Sequence, residues 1–180
     1  MAGLAHAGIG LAAKRITPKV PLIVLLFAAY AIDFIWGIFF VAGLEGLSSP
    51  GQESPSYWSH GLFMAVVWSI LIGVVVLLIS RNRFAALMIG LLVFSHWVVD
   101  FISHPMTAVF PDDTGLPLFF TDSPLVGLGI WRTQLGVNIG EYGTLIIGLI
   151  IYLLTLRKLK KEKHAAAQRS ASLVIQKTRS

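Results

Sequence analysis

Residues 84–104 read FAALMIGLLVFSHWVVDFISH, twenty-one residues with no lysine, arginine or glutamate and one aspartate. At about 1.5 Å of rise per residue, such a helix is about 30 Å long, the thickness of a bilayer's hydrocarbon core. The stretch therefore predicts a membrane span. Three further stretches of similar character lie at 20–44, 60–80 and about 135–156. The predicted fold is all-α and polytopic, with a membrane domain of four transmembrane helices over residues 1–156 and a basic tail over 157–180. A fifth apolar run, 1–13, is too short to span. It reads either as an interfacial helix or as a re-entrant helix held against the bundle.

Composition agrees with this expectation. The chain has 180 residues, 56% of them hydrophobic and 13% charged, about half the charge of an ordinary soluble domain. There is no cysteine, which excludes a disulfide scaffold, a thiolate metal site and a cysteine nucleophile. Lys14, Arg15 and Lys19 precede an apolar run in which Ala29-Tyr30-Ala31 imitates a signal-peptidase site. The run continues past that site to Leu44, which favours an uncleaved span.

Basic residues give an orientation. Of the 14 lysines and arginines, all but Arg132 fall before the first span, between the second and third, or after the fourth. By the positive-inside rule that face is cytoplasmic, as are both termini. The net charge of +5 is thus a topology signal and not a nucleic-acid footprint, and the tail can meet anionic headgroups. The tail reads as a helical extension that frays. On the opposite side, 45–59 is turn-rich and ends in aromatic residues. The longer segment 105–133 has the length of a loop that lies over a site.

Ionisable residues inside a membrane are costly and mark function by default. Here they are Asp33 on the first span, His60 at the start of the second, His96, Asp100 and His104 on the third, and Glu141 on the fourth. With the orientation above, all lie in the outer half of the bilayer. His96-x-x-x-Asp100-x-x-x-His104 places imidazole, carboxylate and imidazole along one helix face. Imidazole and carboxylate together suit a divalent ion, zinc above all. The stripe is about 12 Å long at 1.5 Å per residue, so Asp100 bridging two ions is one arrangement. Interhelical hydrogen bonds or a His–carboxylate proton relay are the alternatives. Gly136, Gly140 and Gly143 beside Glu141 also have a packing explanation. His6 reaches the site only if the N-terminal helix is re-entrant, and His164 belongs to the solvated tail.

These motifs resemble the YdjM-like family of small inner-membrane metal-dependent hydrolases. The resemblance lies in Ala5-His6-Ala7-Gly8 through Lys14-Arg15, Asp33, Trp58-Ser59-His60-Gly61-Leu62, Ser95-His96-Trp97-Val98-Val99-Asp100-Phe101, and Val126 to Trp131 before Glu141. The family is in turn distantly similar to zinc-dependent phospholipase C, whose order of Asp, His and His-x-x-x-Asp is matched by Asp33, His60, His96 and Asp100. The second His-x-x-x-acid pair of those enzymes is only partly matched, because Val137 and not a histidine stands four residues before Glu141.

The resulting expectation is a hydrolase with one or two divalent ions. Asp33, His60, His96, Asp100 and His104 are its ligands, with His6 as a further one. Glu141 serves as ligand or general base, and Ser59 and Ser95 as donors beside the ligands. Membrane lipid surrounds the chain, and a phosphoester of a lipid is the expected substrate. The rival expectation is a non-catalytic subunit of an oligomer or larger membrane complex, whose polar cluster binds a structural ion or glues helices. A transporter ranks below both, since the inner half of the bundle has no matching polar path.

Overall fold

A computed structural model describes residues 3–49, 52–53 and 56–179. The first two residues of the expected N-terminal helix, part of the turn-rich outer loop and the last residue of the tail lie outside them. The chain is mostly helical. In order, the helices are α1 (Gly3–Ala13), α2 (Leu22–Ala29), α3 (Ala31–Val41), α4 (Leu62–Ser80), α5 (Arg83–Ser103), α6 (Gln134–Asn138) and α7 (Thr144–Arg179). A π-helical turn over Ile139–Gly143 joins the last two. Two short antiparallel ladders, β1 (Leu47–Ser49) with β2 (Gln52–Glu53) and β3 (Leu116–Pro117) with β4 (Leu125–Val126), and a 3-10 turn over Ile130–Arg132 complete the regular structure of the described residues.

Helices α4 and α5 form an antiparallel hairpin whose turn is written in two residues. Arg81 closes α4 in the left-handed conformation (φ 52°), its N–H returning to the carbonyl of Leu77. Asn82 then caps α5, its side chain accepting from the N–H of Ala85 at 3.0 Å. Asparagine tolerates such a turn and satisfies an orphan N–H at the helix start. At the far end, α5 stops before Pro105, and the N–H of His104 bonds the carbonyl of Asp100. The hairpin thus carries His60 and Asp100 to the same end, because α4 runs away from that end and α5 runs back toward it.

Leu62–Ser80, Arg83–Ser103 and Gln134–Ser170 are each long and apolar enough to cross a membrane, and α2 with α3 adds a fourth stretch if the bent pair is one span. Their outer faces remain apolar: Ile23, Leu78 and Ile79 are 71%, 73% and 80% exposed. A water-soluble domain rarely leaves so much contiguous apolar surface uncovered. The shared core is formed by Leu25, Ala28, Ile32, Ala65, Ile89 and Val93, where α2 and α3 lie on the hairpin.

Two expectations change. The stretch 20–44 is not one straight span but breaks at Tyr30, with a bend of 57° between α2 and α3. There is neither proline nor glycine at the break. A side chain intrudes instead: the Ala29 carbonyl, which a continuous helix would pair with residue 33, meets Nδ1 of His96. Insertion of a side chain into the backbone ladder is a recognised origin of a kink. In addition, the tail extends the last helix as expected but does not fray within the described residues, since α7 continues as helix to Arg179.

Helix α1 lies inside the assembly of helices, packed on α7, α2 and α5. Two glycines permit this. A Cβ at Gly8 would stand 2.4 Å from the carbonyl oxygen of Thr144, and one at Gly148 would stand 2.1 Å from that of Gly8. The backbones of α1 and α7 therefore touch, as small residues allow between apolar helices. The Tyr30 hydroxyl donates to the carbonyl of Gly3, and the N–H of Ala5 donates to Glu141 Oε2 at 2.7 Å.

Candidate metal centre

Four elements converge on one buried cluster. Helix α5 supplies His96 and Asp100, one turn apart. Helix α3 supplies Asp33, the turn before α4 supplies His60, and α1 supplies His6. Asp100 is central: its Oδ1 is 3.2 Å from His6 Nε2, and its Oδ2 is 3.3 Å from His96 Nε2 and 3.6 Å from His60 Nε2. Asp33 Oδ1 faces His60 Nε2 at 3.4 Å and His96 Nε2 at 3.5 Å. The rings of His6 and His96 stack with centroids 3.7 Å apart. His6, His96 and Asp100 are at most 1% exposed, whereas the side chain of Asp33 keeps 14%. The cluster is thus approached from the Asp33–His60 edge.

The hydrogen positions that this geometry requires are informative. A carbonyl can only accept, so the 2.9 Å contact with Ala29 places the proton of a neutral His96 on Nδ1. Its Nε2 then presents a lone pair to two carboxylate oxygens, which are acceptors themselves. Asp33 Oδ1, His96 Nε2 and Asp100 Oδ2 are all buried without a hydrogen-bond partner. At 3.3 and 3.5 Å neither contact of His96 Nε2 has hydrogen-bond geometry. Acceptors facing acceptors this closely repel one another unless a cation, a proton or a metal ion, lies between them. Two carboxylates among neutral imidazoles also leave two negative charges, which one divalent ion balances.

The spacing suits such an ion. Ligands held about 2.0–2.1 Å from a tetrahedral zinc lie about 3.3–3.4 Å from each other, close to the observed separations. Two sets of three residues could hold a metal: His6, His96 and Asp100, and Asp33, His60 and His96. They share His96.

Five of the residues singled out in the sequence are brought together: His6, Asp33, His60, His96 and Asp100. Two are not. His104 leaves the stripe where α5 ends, and its Nδ1 lies 2.8 Å from Asp113 Oδ2 in the following loop. Glu141 holds the N–H of Ala5, next to His6, and so fixes α1. Of the two serines, Ser95 turns away to the carbonyl of Leu92, while Ser59 Oγ lies 2.8 Å from His60 Nδ1. Glu45 is the residue that sequence reasoning missed. It is 7% exposed, and its carboxylate accepts from Ser59 Oγ at 2.6 Å and from the N–H groups of Trp58 and Ser59 at 2.5 and 3.1 Å. An acid so close to the end of an apolar stretch was its only signal.

The loop after α5 is tied down over this end of the bundle. Asp113 accepts from the N–H groups of Met106 and Gly115 at 2.5 and 2.9 Å, and the N–H of Phe63 donates to the carbonyl of Leu118. Burial pushes the Asp113 carboxyl up, but His104 and the two N–H groups outweigh it and hold it below its ordinary range.

No protein-family model, no curated protein and no solved structure matches this chain, and the site's chemistry rests on its own geometry.

Proposed function

We propose that the chain is a membrane-embedded, metal-dependent hydrolase of the inner membrane, with four spans and both termini in the cytoplasm. Its site opens in the outer half of the bilayer, toward a phosphoester of a lipid or lipid-linked molecule. One observation carries the metal reading: three buried ligand-type atoms on two different helices face each other with no hydrogen-bond partner. Asp33, His60, His96 and Asp100 would hold the ion, and His6 would hold it or hydrogen-bond Asp100.

A single ion is favoured over two. His96 belongs to both candidate sets, its Nδ1 is engaged by Ala29, and the one lone pair on Nε2 binds one ion. Zinc suits the nitrogen and oxygen donors. A bound divalent ion supplies a water of lowered pKa and polarises a phosphoryl oxygen. The residues themselves orient and insulate: Ala29 fixes the His96 ring, the apolar core around Ile32 and Val93 excludes bulk water, and the partly exposed Asp33–His60 edge admits substrate. Helix position supports the depth. Asp100 is seventeen residues beyond Arg83, about 26 Å along α5, and Arg83 stands on the basic face.

A second reading is favoured by burial. Three of the five residues are sealed from solvent, as in a structural ion site of a non-catalytic subunit. Elemental analysis after chelator-free purification, followed by assays on phosphodiester and phospholipid substrates, separates the two. The expected result is about one divalent ion per chain and metal-dependent cleavage. Absence of a stoichiometric ion overturns both readings, while a bound ion with no cleavage at any pH leaves the structural one.

A further inference from the structure

The buried Glu45 has no part in the cluster's contacts, yet it is joined to it through one hydroxyl. Its Oε1 takes two backbone N–H groups, those of Trp58 and Ser59, so its other oxygen, Oε2, is the one that faces Ser59 Oγ. Three donors converging on one carboxyl are the surroundings of an ionised, acceptor-only group. Ser59 has a single proton, and at 2.6 Å from Oε2 that proton goes to Glu45. The same oxygen is 2.8 Å from His60 Nδ1. With its proton already committed, Ser59 can only accept there, and Nδ1 must carry the hydrogen.

We infer that Glu45 and Ser59 are positioning residues that set the tautomer of His60, keeping its Nδ1 protonated so that Nε2 is free to bind a cation. His96 is set the same way by the carbonyl of Ala29. The two histidines nearest Asp33 thus have their protons assigned on the outside of the cluster, by two unrelated pieces of chain. Partners of this kind raise ligand basicity and fix ring orientation. The consequence for metal affinity rests on the proposed metal site, whereas the proton assignment does not.

Glu45→Gln is the decisive variant, because it keeps the shape and inverts the donors. The two N–H groups still require an oxygen at the Oε1 position, so the amide NH₂ takes the Oε2 position and donates to Ser59. The Ser59 hydroxyl then turns to His60 Nδ1, which becomes the acceptor, and Nε2 gains the proton. Two measurements follow on the full chain in detergent or nanodiscs. In metal-free protein with ¹⁵N-labelled histidine, the His60 resonance, assigned by its loss in His60→Gln, should show Nδ1 protonated in the wild type and unprotonated in Glu45→Gln. Titration with zinc should show affinity about 10–100-fold weaker in the variant, the usual cost of losing such a partner, with Glu162→Gln on the exposed tail unchanged.

If Glu45→Gln does not fold, Ser59→Ala takes its place and should weaken zinc by the same order, since Nδ1 then loses its acceptor. An unprotonated Nδ1 in the wild type, or wild-type zinc affinity in a folded Glu45→Gln, overturns the inference. If the wild type binds no zinc at all, the metal reading fails, and the Nδ1 resonance alone decides the proton assignment.

Discussion

Asp100 bears the largest share of the cluster, since its two oxygens face three imidazoles and the side chain is fully buried. Asp100→Asn keeps the volume but removes the charge that offsets half of a divalent ion. We expect metal affinity to fall by more than the 10–100-fold typical of an outer partner, measured by elemental analysis, while Asp112→Asn in the exposed loop keeps its metal. A second residue-scale prediction concerns His104, which the one-face spacing of His96, Asp100 and His104 had placed among the metal ligands. Spacing describes a continuing helix, but α5 ends at Ser103, and beyond it Asp113 competes for the imidazole at 2.8 Å. That competition was invisible in sequence because it depends on how the loop folds back. The Asp113 carboxyl is held below its ordinary value of about 3.9, so its anchoring contribution is complete above that value and is lost as pH falls below it, through the depressed folded pKa. Hydrogen exchange at the N–H groups of Met106 and Gly115 reads this directly. Protection should drop below about pH 3.9, and at neutral pH in Asp113→Asn; unchanged protection in both would remove Asp113 as the anchor.

At the scale of elements, the site depends on α1 being drawn inside, because His6 has no other route to Asp100. The close approach of α1 and α7 runs through Gly8 and Gly148, not through Gly143, where an added Cβ meets nothing nearer than Ile139 of its own helix, at 4.0 Å. Gly136 and Gly140 serve a different neighbour, the turn at Ile130 and Trp131. Sequence spacing showed that this helix would be approached closely; it did not show by what, since glycines record the need for room and not the identity of the visitor. The same limit applies to the bend at Tyr30. The apolar stretch 20–44 was legible from composition as one span, but a backbone carbonyl that orients His96 leaves no side-chain signature of the break. A paired substitution tests the packing. Gly148→Ala forces a contact of 2.1 Å and should destabilise the fold by about 1–3 kcal/mol, as overpacking does, with weaker zinc binding as His6 is displaced. Gly143→Ala should leave the thermal midpoint unchanged or raise it, alanine being the better helix former by about 1 kcal/mol. Equal melting of the two variants would contradict the α1–α7 packing.

For the whole molecule, the small number of charges carries two separate messages. Two apolar stretches, 60–80 and 84–104, were legible without structure, because composition alone reports which stretches avoid charge, and the helices Leu62–Ser80 and Arg83–Ser103 coincide with them. Folding adds that the α4–α5 turn, with Arg81 and Arg83, stands at the opposite end of the hairpin from His60 and Asp100. If basic residues face the cytoplasm, the cluster must face the other side, and the loop containing Asp122 must lie outside with it. The absence of cysteine makes the test clean, because any introduced thiol is the sole label site. Ser123→Cys should react with a membrane-impermeant maleimide in intact cells, whereas Asn82→Cys and His164→Cys should react only after the membrane is opened. The reverse pattern would put the cluster on the cytoplasmic side and with it the substrate, since a phosphoester reaching the Asp33–His60 edge must come from the leaflet on which that edge opens. Labelling at all three positions in intact cells would remove the membrane-spanning hairpin itself, because a span about 30 Å thick cannot present both ends of α5 to the same solution.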